Sequence, residues 1–211
     1  MKKEERALEI FKRLKKEFPD AKCALDHQDP FELLVATILS AQCTDERVNK
    51  VTPALFKRFP TVEKMSRATL EELETLIHST GFYKNKAKSL LGASQTIVKE
   101  YEGEFPSEME KLIALPGVGR KTANVVLGNA FDAPEGVVVD THVTRLSNLL
   151  GLSKQKTAEK IEIDLNKLFK KNQWVMISHF LILHGRKTCI ARRPKCAECV
   201  LADICPSRKK V

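Results

Sequence analysis

The chain has 211 residues, 43% of them hydrophobic, enough for one large domain or two small ones sharing a core without help from disulfides. Its 36 Lys and Arg outnumber 27 Asp and Glu, a formal charge of +9 that points to a polyanionic partner. The first fourteen residues mix charges with apolar residues at helical spacing, unlike a signal peptide, and no run of about eighteen apolar residues occurs as a membrane helix needs, so the cytosol is the expected compartment.

Periodicity is helical nearly throughout. Leu8, Phe11 and Leu14 mark a first helix, and Phe31, Leu34, Val35 and Ile38 a second. A third is expected over about 44–58. Thr69-Leu-Glu-Glu72 reads as a capping box that opens a helix to about His78, with Gly81 as its stop. Further helices are expected over about 83–101, 108–114, 119–130, 141–150, 155–170 and 173–184. Val137, Val138 and Val139 have no alternating segment to pair with and read as a buried extended connector. Pro134, Glu135 and Gly136 break the helical pattern just before them and mark the best domain boundary. The fold class is all-α.

Leu115-Pro-Gly-Val-Gly-Arg-Lys121 lies between two of these helices. Pro116 resists continuation of the first, while Gly117 and Gly119 permit a tight turn. Without side chains there, main-chain N–H groups at the start of the next helix can approach a phosphate, which holds DNA regardless of its sequence. Lys121 falls in the first turn of that helix. An amine attacks only when uncharged, and the helix N-terminus and Arg120 both disfavour an ammonium at this place. Local features leave open whether Lys121 is a nucleophile or a phosphate anchor. Asp140 precedes a helical pattern and reads as an N-cap, a role compatible with catalysis because a capping carboxylate is held rigidly.

Four of the six cysteines, Cys189, Cys196, Cys199 and Cys205, crowd into seventeen residues with six, two and five residues between them. Only one close pair is present, whereas structural zinc sites usually split their ligands into two such pairs. A four-iron cubane held by four thiolates suits the spacing better. Cys23 and Cys43 stand apart and read as small core residues. Arg192, Arg193 and Lys195 lie between the ligands, where they could press a basic loop onto a phosphate backbone or simply be solvated.

LSAQCTD at Leu39–Asp45, LPGVGRKTANVV at Leu115–Val126, VDTH at Val139–His142, HGR at His184–Arg186 and the four-cysteine spacing together resemble the endonuclease III family of helix-hairpin-helix DNA glycosylases. The resemblance implies two helical lobes flanking a DNA-binding cleft: a six-helix barrel lobe over 22–133, and a lobe of 1–21 with 134–211 bearing one [4Fe-4S] cluster. It assigns the nucleophile to Lys121 and the catalytic aspartate to Asp140. It implies that the damaged nucleotide is flipped out of double-stranded DNA. Gln42 would fill the vacated space, and Phe82 stands at a wedge position where the family usually carries a smaller aliphatic residue. Leu115, Gly117, Val118, Gly119, Arg120, His142 and Arg186 join Arg192, Arg193 and Lys195 as expected DNA contacts. The implied reaction removes oxidised or ring-damaged pyrimidines and then nicks the strand at the abasic site, in a monomeric enzyme of the prokaryotic nucleoid.

Three other functions compete. A related branch that removes adenine opposite oxidised guanine lacks the lysine and is expected to need a further domain beyond Val211. A non-enzymatic hairpin module would not need Lys121 at all. An electron carrier has no use for the hairpin or the positive charge, so the cluster is read as chiefly structural.

Overall fold

A computed structural model describes residues 1–208. Among them are eleven α-helices, two 3-10 turns and no strand. The helices are α1 (Lys3–Glu17), α2 (Pro30–Ser40), α3 (Asp45–Arg58), α4 (Val62–Ser66), α5 (Leu70–Ile77), α6 (Tyr83–Glu100), α7 (Met109–Ile113), α8 (Arg120–Ala130), α9 (Thr141–Leu149), α10 (Ala158–Leu168) and α11 (Trp174–Lys187). The 3-10 turns are His78–Thr80 and Lys171–Gln173.

Most helix starts are written in the local sequence. Asp29 accepts from the Glu32 amide at 2.8 Å with Pro30 in the first turn, and Thr44 accepts from the Arg47 amide at 3.3 Å. The box at Thr69 closes in both directions: the Glu72 amide donates to Thr69 Oγ1 at 3.2 Å, and the Thr69 amide donates to Glu72 Oε2 at 3.0 Å. The single turn α4, capped by Thr61, adds a helix that the sequence pattern does not announce.

The chain divides into two compact units, residues 23–133 and residues 1–22 with the chain from Pro134 onward. The first unit is built around α2, whose Phe31, Leu33, Leu34, Val35, Ala36, Ile38 and Leu39 are all buried. A helix apolar on every side must be enclosed, and α3, α6 and α8 enclose it. α4 and α5 pack on α6, and α7 on α8. Fully burying each leucine of this kind contributes about 1.5–3 kcal/mol, so the hairpin between α7 and α8 is carried on a rigid support.

In the second unit, α1 contributes Ala7, Ile10 and Leu14, and α11 packs against both α1 and α9. Phe180 is buried, with Phe11 edge-on at 5.4 Å between ring centroids. The valine stretch forms an extended connector: Val137 and Val139 are buried, and the Val137 amide donates to Asn166 Oδ1 at 2.9 Å. That anchor delivers Asp140 to the start of α9. Arg13 ties α1 to the cysteine segment through Val200 O at 2.9 Å and the Asp203 carboxylate. No helix of the described residues is long and apolar enough to cross a membrane.

Candidate DNA-repair site and iron-sulfur centre

The hairpin turns tightly because α7 ends at Ile113, the Leu115 amide folds back to Leu112 O at 3.1 Å, and the Val118 amide to Leu115 O at 3.1 Å. The side chains of Leu115 and Val118 are buried in the core, so the part of these two open to a ligand is main chain. Gly117 has φ +77°, and a Cβ there would stand 2.4 Å from Ser89 Cβ on α6, so only glycine fits. Gly119 differs: its φ is −93° and a Cβ would meet nothing within 4 Å. Packing does not require glycine at this position, and the missing side chain leaves the backbone open to close approach by an outside group.

Gly119 is the N-cap of α8 and supplies no side-chain cap, so the first-turn amides of α8 lack the usual oxygen acceptor from that residue. Arg120 and Lys121 follow with exposed side chains. The helix therefore presents a positive dipole, first-turn amides and two cationic side chains at one end, which suits a phosphate.

Asp140 caps α9, its Oδ1 accepting the Val143 amide at 2.8 Å. Capping engages one carboxylate oxygen and fixes the position of the group. His142, half-buried in the first turn of α9, lies over Gly185 of α11. Arg186, Arg192, Arg193 and Lys195 are all exposed, in a row of basic residues from the end of α11 into the cysteine segment.

Gln42 and Phe82 share a backbone peculiarity. Both are exposed non-glycine residues in the left-handed region, with φ of 52° and 48°. Phe82 leaves 63% of its surface open. A bulky residue held at positive φ costs on the order of 1–3 kcal/mol and concentrates at functional sites. Both lie at helix boundaries of the same unit, Gln42 between α2 and α3 and Phe82 just before α6.

The four clustered cysteines line one cavity of about 240 Å³. A lone zinc with four thiolates at about 2.3 Å would leave no such space. Nor do three His, Cys, Asp or Glu side chains among the described residues converge as a single small ion requires. The cavity suits a multi-atom cluster, and its thiols are already addressed by donors. Arg145 Nη1 points to Cys189 Sγ at 3.7 Å, and the Leu201 amide donates to Cys199 Sγ at 3.4 Å. His184 Nε2 lies 3.4 Å from Cys199 Sγ, while its Nδ1 is 3.6 Å from Glu17 Oε2. Burial, then the charge of Arg145, pushes His184 down to about 4, so its ring is neutral near pH 7. Burial above all pushes the Cys199 and Cys205 thiols up, so these thiolates call for a positive core to hold them.

Arg145 and His184 are sulfur neighbours that sequence reasoning does not reach. The one available signal is spacing: Arg145 is one turn beyond His142, and His184 five residues before Cys189. Cys23 and Cys43 are half-buried against the core of the other unit, consistent with small packing residues.

Residues 35–171 match the HhH-GPD superfamily of base excision DNA repair proteins, and residues 189–205 match the iron-sulfur binding domain of endonuclease III. The chain is 57% identical over 205 residues to endonuclease III of Synechocystis sp., covering 97% of this chain and 94% of that protein. It is 42% identical over 204 residues to endonuclease III of Escherichia coli, covering 97% and 96%. The fold superposes on the solved structure of a non-covalent endonuclease III–DNA complex with a TM-score of 0.92 and 42% identity, covering 98% of this chain and 97% of that one. A trapped endonuclease III–DNA covalent intermediate matches with the same TM-score of 0.92.

Proposed function

The chain belongs to the endonuclease III family of the HhH-GPD superfamily of base excision DNA repair proteins, and from that membership we propose how its residues share the work of a DNA glycosylase and abasic-site lyase. The observation that carries the reading is Lys121, exposed in the first turn of α8 beside a glycine whose missing side chain the protein interior does not require. The backbone at Gly117 to Lys121, with Arg120, holds a phosphate of the duplex, and Arg192, Arg193 and Lys195 hold others. Affinity therefore falls steeply with salt.

The damaged pyrimidine leaves the stack, Gln42 fills its place, and Phe82 wedges beside it. The Lys121 amine attacks C1′ of the deoxyribose, the C1′–N bond to the base breaks with its electron pair, and the base departs with a proton. Asp140 stabilises positive charge developing on the sugar and accepts the proton that Lys121 loses. The sugar ring then opens, the C1′–O4′ bond breaking as O4′ takes a proton, and the protonated Schiff base so formed between Lys121 and C1′ acidifies the C2′ hydrogen; its removal forms the C2′–C3′ double bond, expels the 3′ phosphate and breaks the strand. A plain abasic site enters at the same Schiff base.

Cys189, Cys196, Cys199 and Cys205 hold one [4Fe-4S] cluster, which when bound supplies cross-links for the segment that carries the basic loop. Arg145 and His184 orient two of those thiols. The same reading sets the enzyme to work as a monomer in the bacterial cytoplasm, on nucleoid DNA.

The test is borohydride reduction of the enzyme on duplexes carrying oxidised pyrimidines or an abasic site, with Lys121→Ala alongside. The parent should form a covalent adduct that peptide mapping places on Lys121, and the variant should bind DNA yet form none. Crosslinking at another residue, or an undiminished yield from the variant, overturns the proposal.

A further inference from the structure

Lys86 is a lysine on the inside of the protein. It sits in the first turns of α6, 5% exposed, on the same face as the buried Ala87, Leu90 and Ala93. Its Nζ donates to Leu39 O at 2.8 Å and to Thr80 O at 2.8 Å. Leu39 is in the last turn of α2, where unpaired carbonyls and the negative end of the helix dipole favour a cation. Thr80 ends the 3-10 turn that precedes Gly81. Burial disfavours the charge on this amine, yet among the described residues it is met by carbonyl dipoles rather than by a carboxylate. A buried cation in such a costly place requires the two carbonyls to stay where they are, because losing either leaves charge unsolvated.

The two carbonyls occupy equivalent places in the chain, each at the base of a loop. Gln42 comes three residues after Leu39, and Phe82 two residues after Thr80. Both are exposed non-glycine residues held at positive φ, as are Glu102 and Asp132 elsewhere in the unit. One ammonium thus ties together the roots of both loops, and does so from beneath them, with no access of its own to DNA.

From this juxtaposition we infer that Lys86 is a positioning residue: it locks the Gln42 and Phe82 loops at a common spacing, so that filling and wedging occur in one motion when the damaged nucleotide leaves the helix. The inference rests on the reading of Gln42 and Phe82 as the residues that enter the duplex. It assigns Lys86 to base extrusion and not to bond breaking.

The experiment compares the enzyme with Lys86→Met, which keeps the length and apolar stem but cannot donate. Two substrates are used: a duplex with one oxidised pyrimidine, and a single strand carrying an abasic site, from which no base need be unstacked. Loss of two hydrogen bonds from a charged donor should lower kcat/KM on the duplex roughly 10- to 100-fold. Cleavage of the single strand should stay within about threefold of the parent. Fluorescence of 2-aminopurine next to the lesion, which rises on unstacking, should fall in parallel with the duplex rate. Unfolded protein scales both rates equally, so their ratio is insensitive to a partial folding defect. Lys86→Gln, which retains one donor group, should lie between parent and Lys86→Met.

Equal loss on both substrates, or an unchanged ratio, overturns the role of Lys86. A Gln42→Ala, Phe82→Ala double variant separates that outcome from failure of the underlying reading. If the double variant extrudes and excises from duplex as well as the parent does, the two loops themselves are not the entering residues.

Discussion

Replacing Gly117 with alanine should damage the protein, and replacing Gly119 with alanine should damage only its hold on DNA. At Gly117 two costs add. A non-glycine residue at φ +77° carries about 1–2 kcal/mol of backbone strain. The new methyl, 2.4 Å from Ser89 Cβ and Oγ on α6, must push a packed helix aside, which costs about 1–3 kcal/mol more. The sum, about 2–5 kcal/mol, is a large part of a stability on the order of 5–15 kcal/mol. With a urea dependence of about 2 kcal/mol per molar, the midpoint should drop by roughly 1–2.5 M. Adding Ser89→Gly should return the steric share and leave the strain, a coupling that a double-mutant cycle measures directly. At Gly119 the backbone is ordinary and the space is open, so alanine should cost no more than about 1 kcal/mol, the preference of an N-cap for glycine over alanine. Its methyl would nevertheless stand where a phosphate approaches the first-turn amides, and affinity for an uncleavable abasic analogue should fall by about tenfold or more. The measurements are urea melts by circular dichroism and fluorescence titration with DNA, on the same preparations. If Gly117→Ala melts with the parent, or Gly119→Ala proves the less stable of the two, the steric reasoning fails.

Asp140→Asn keeps an oxygen for the Val143 amide, so stability should change by less than about 1 kcal/mol while glycosylase rate falls by about 100-fold or more. Equal activity of the parent and Asp140→Asn would confine this carboxylate to capping. Phe180→Ala removes a buried ring and its edge-on contact with Phe11, and should cost about 3–5 kcal/mol in a urea melt, with iron lost from the protein as the unit loosens. A cost under about 1 kcal/mol would mean that the site collapses around the gap. Arg13→Met should speed the loss of iron to a chelator severalfold, because the contacts to Val200 O and Asp203 that hold the cysteine segment to α1 are gone. An unaltered rate would show that the cluster alone organises the segment.

Local chemistry is the most legible layer of the sequence. The box at Thr69 and Glu72, the Pro-Gly-Val-Gly turn and the capping Asp140 each involve residues within four positions of one another, and each lies where its residue types demand. The valine connector is readable because it lacks a companion strand. α4 is not, since five residues are too few to show a period. Lys86 is hidden because a charged residue reads as surface, although its spacing from Leu90, Ala93 and Ile97 places it on the buried stripe of α6. Arg145 and His184 cannot be joined to the thiols from sequence, as the contacts bring together residues on α9, α11 and the cysteine segment. Among the hairpin residues, the sequence marks the right segment but not which members face inward: Leu115 and Val118 serve the core, Gly117 serves the close packing against Ser89, and only Gly119 faces open space.

The way the chain threads its two units has a consequence during synthesis. α1 leaves the ribosome first, but the surface it packs on lies in α10 and α11, and all of residues 23–133 are translated in between. At roughly 5–20 residues per second, that interval lasts on the order of ten seconds, ample for the intervening unit to close its own core. Throughout it, Ala7, Ile10 and Leu14 have no native surface to meet. The many lysines and glutamates on the other sides of α1 keep this waiting segment hydrated until its mates emerge. A nascent chain arrested once residue 140 has cleared the exit tunnel should therefore resist proteolysis over 23–133 while its first twenty or so residues are trimmed away.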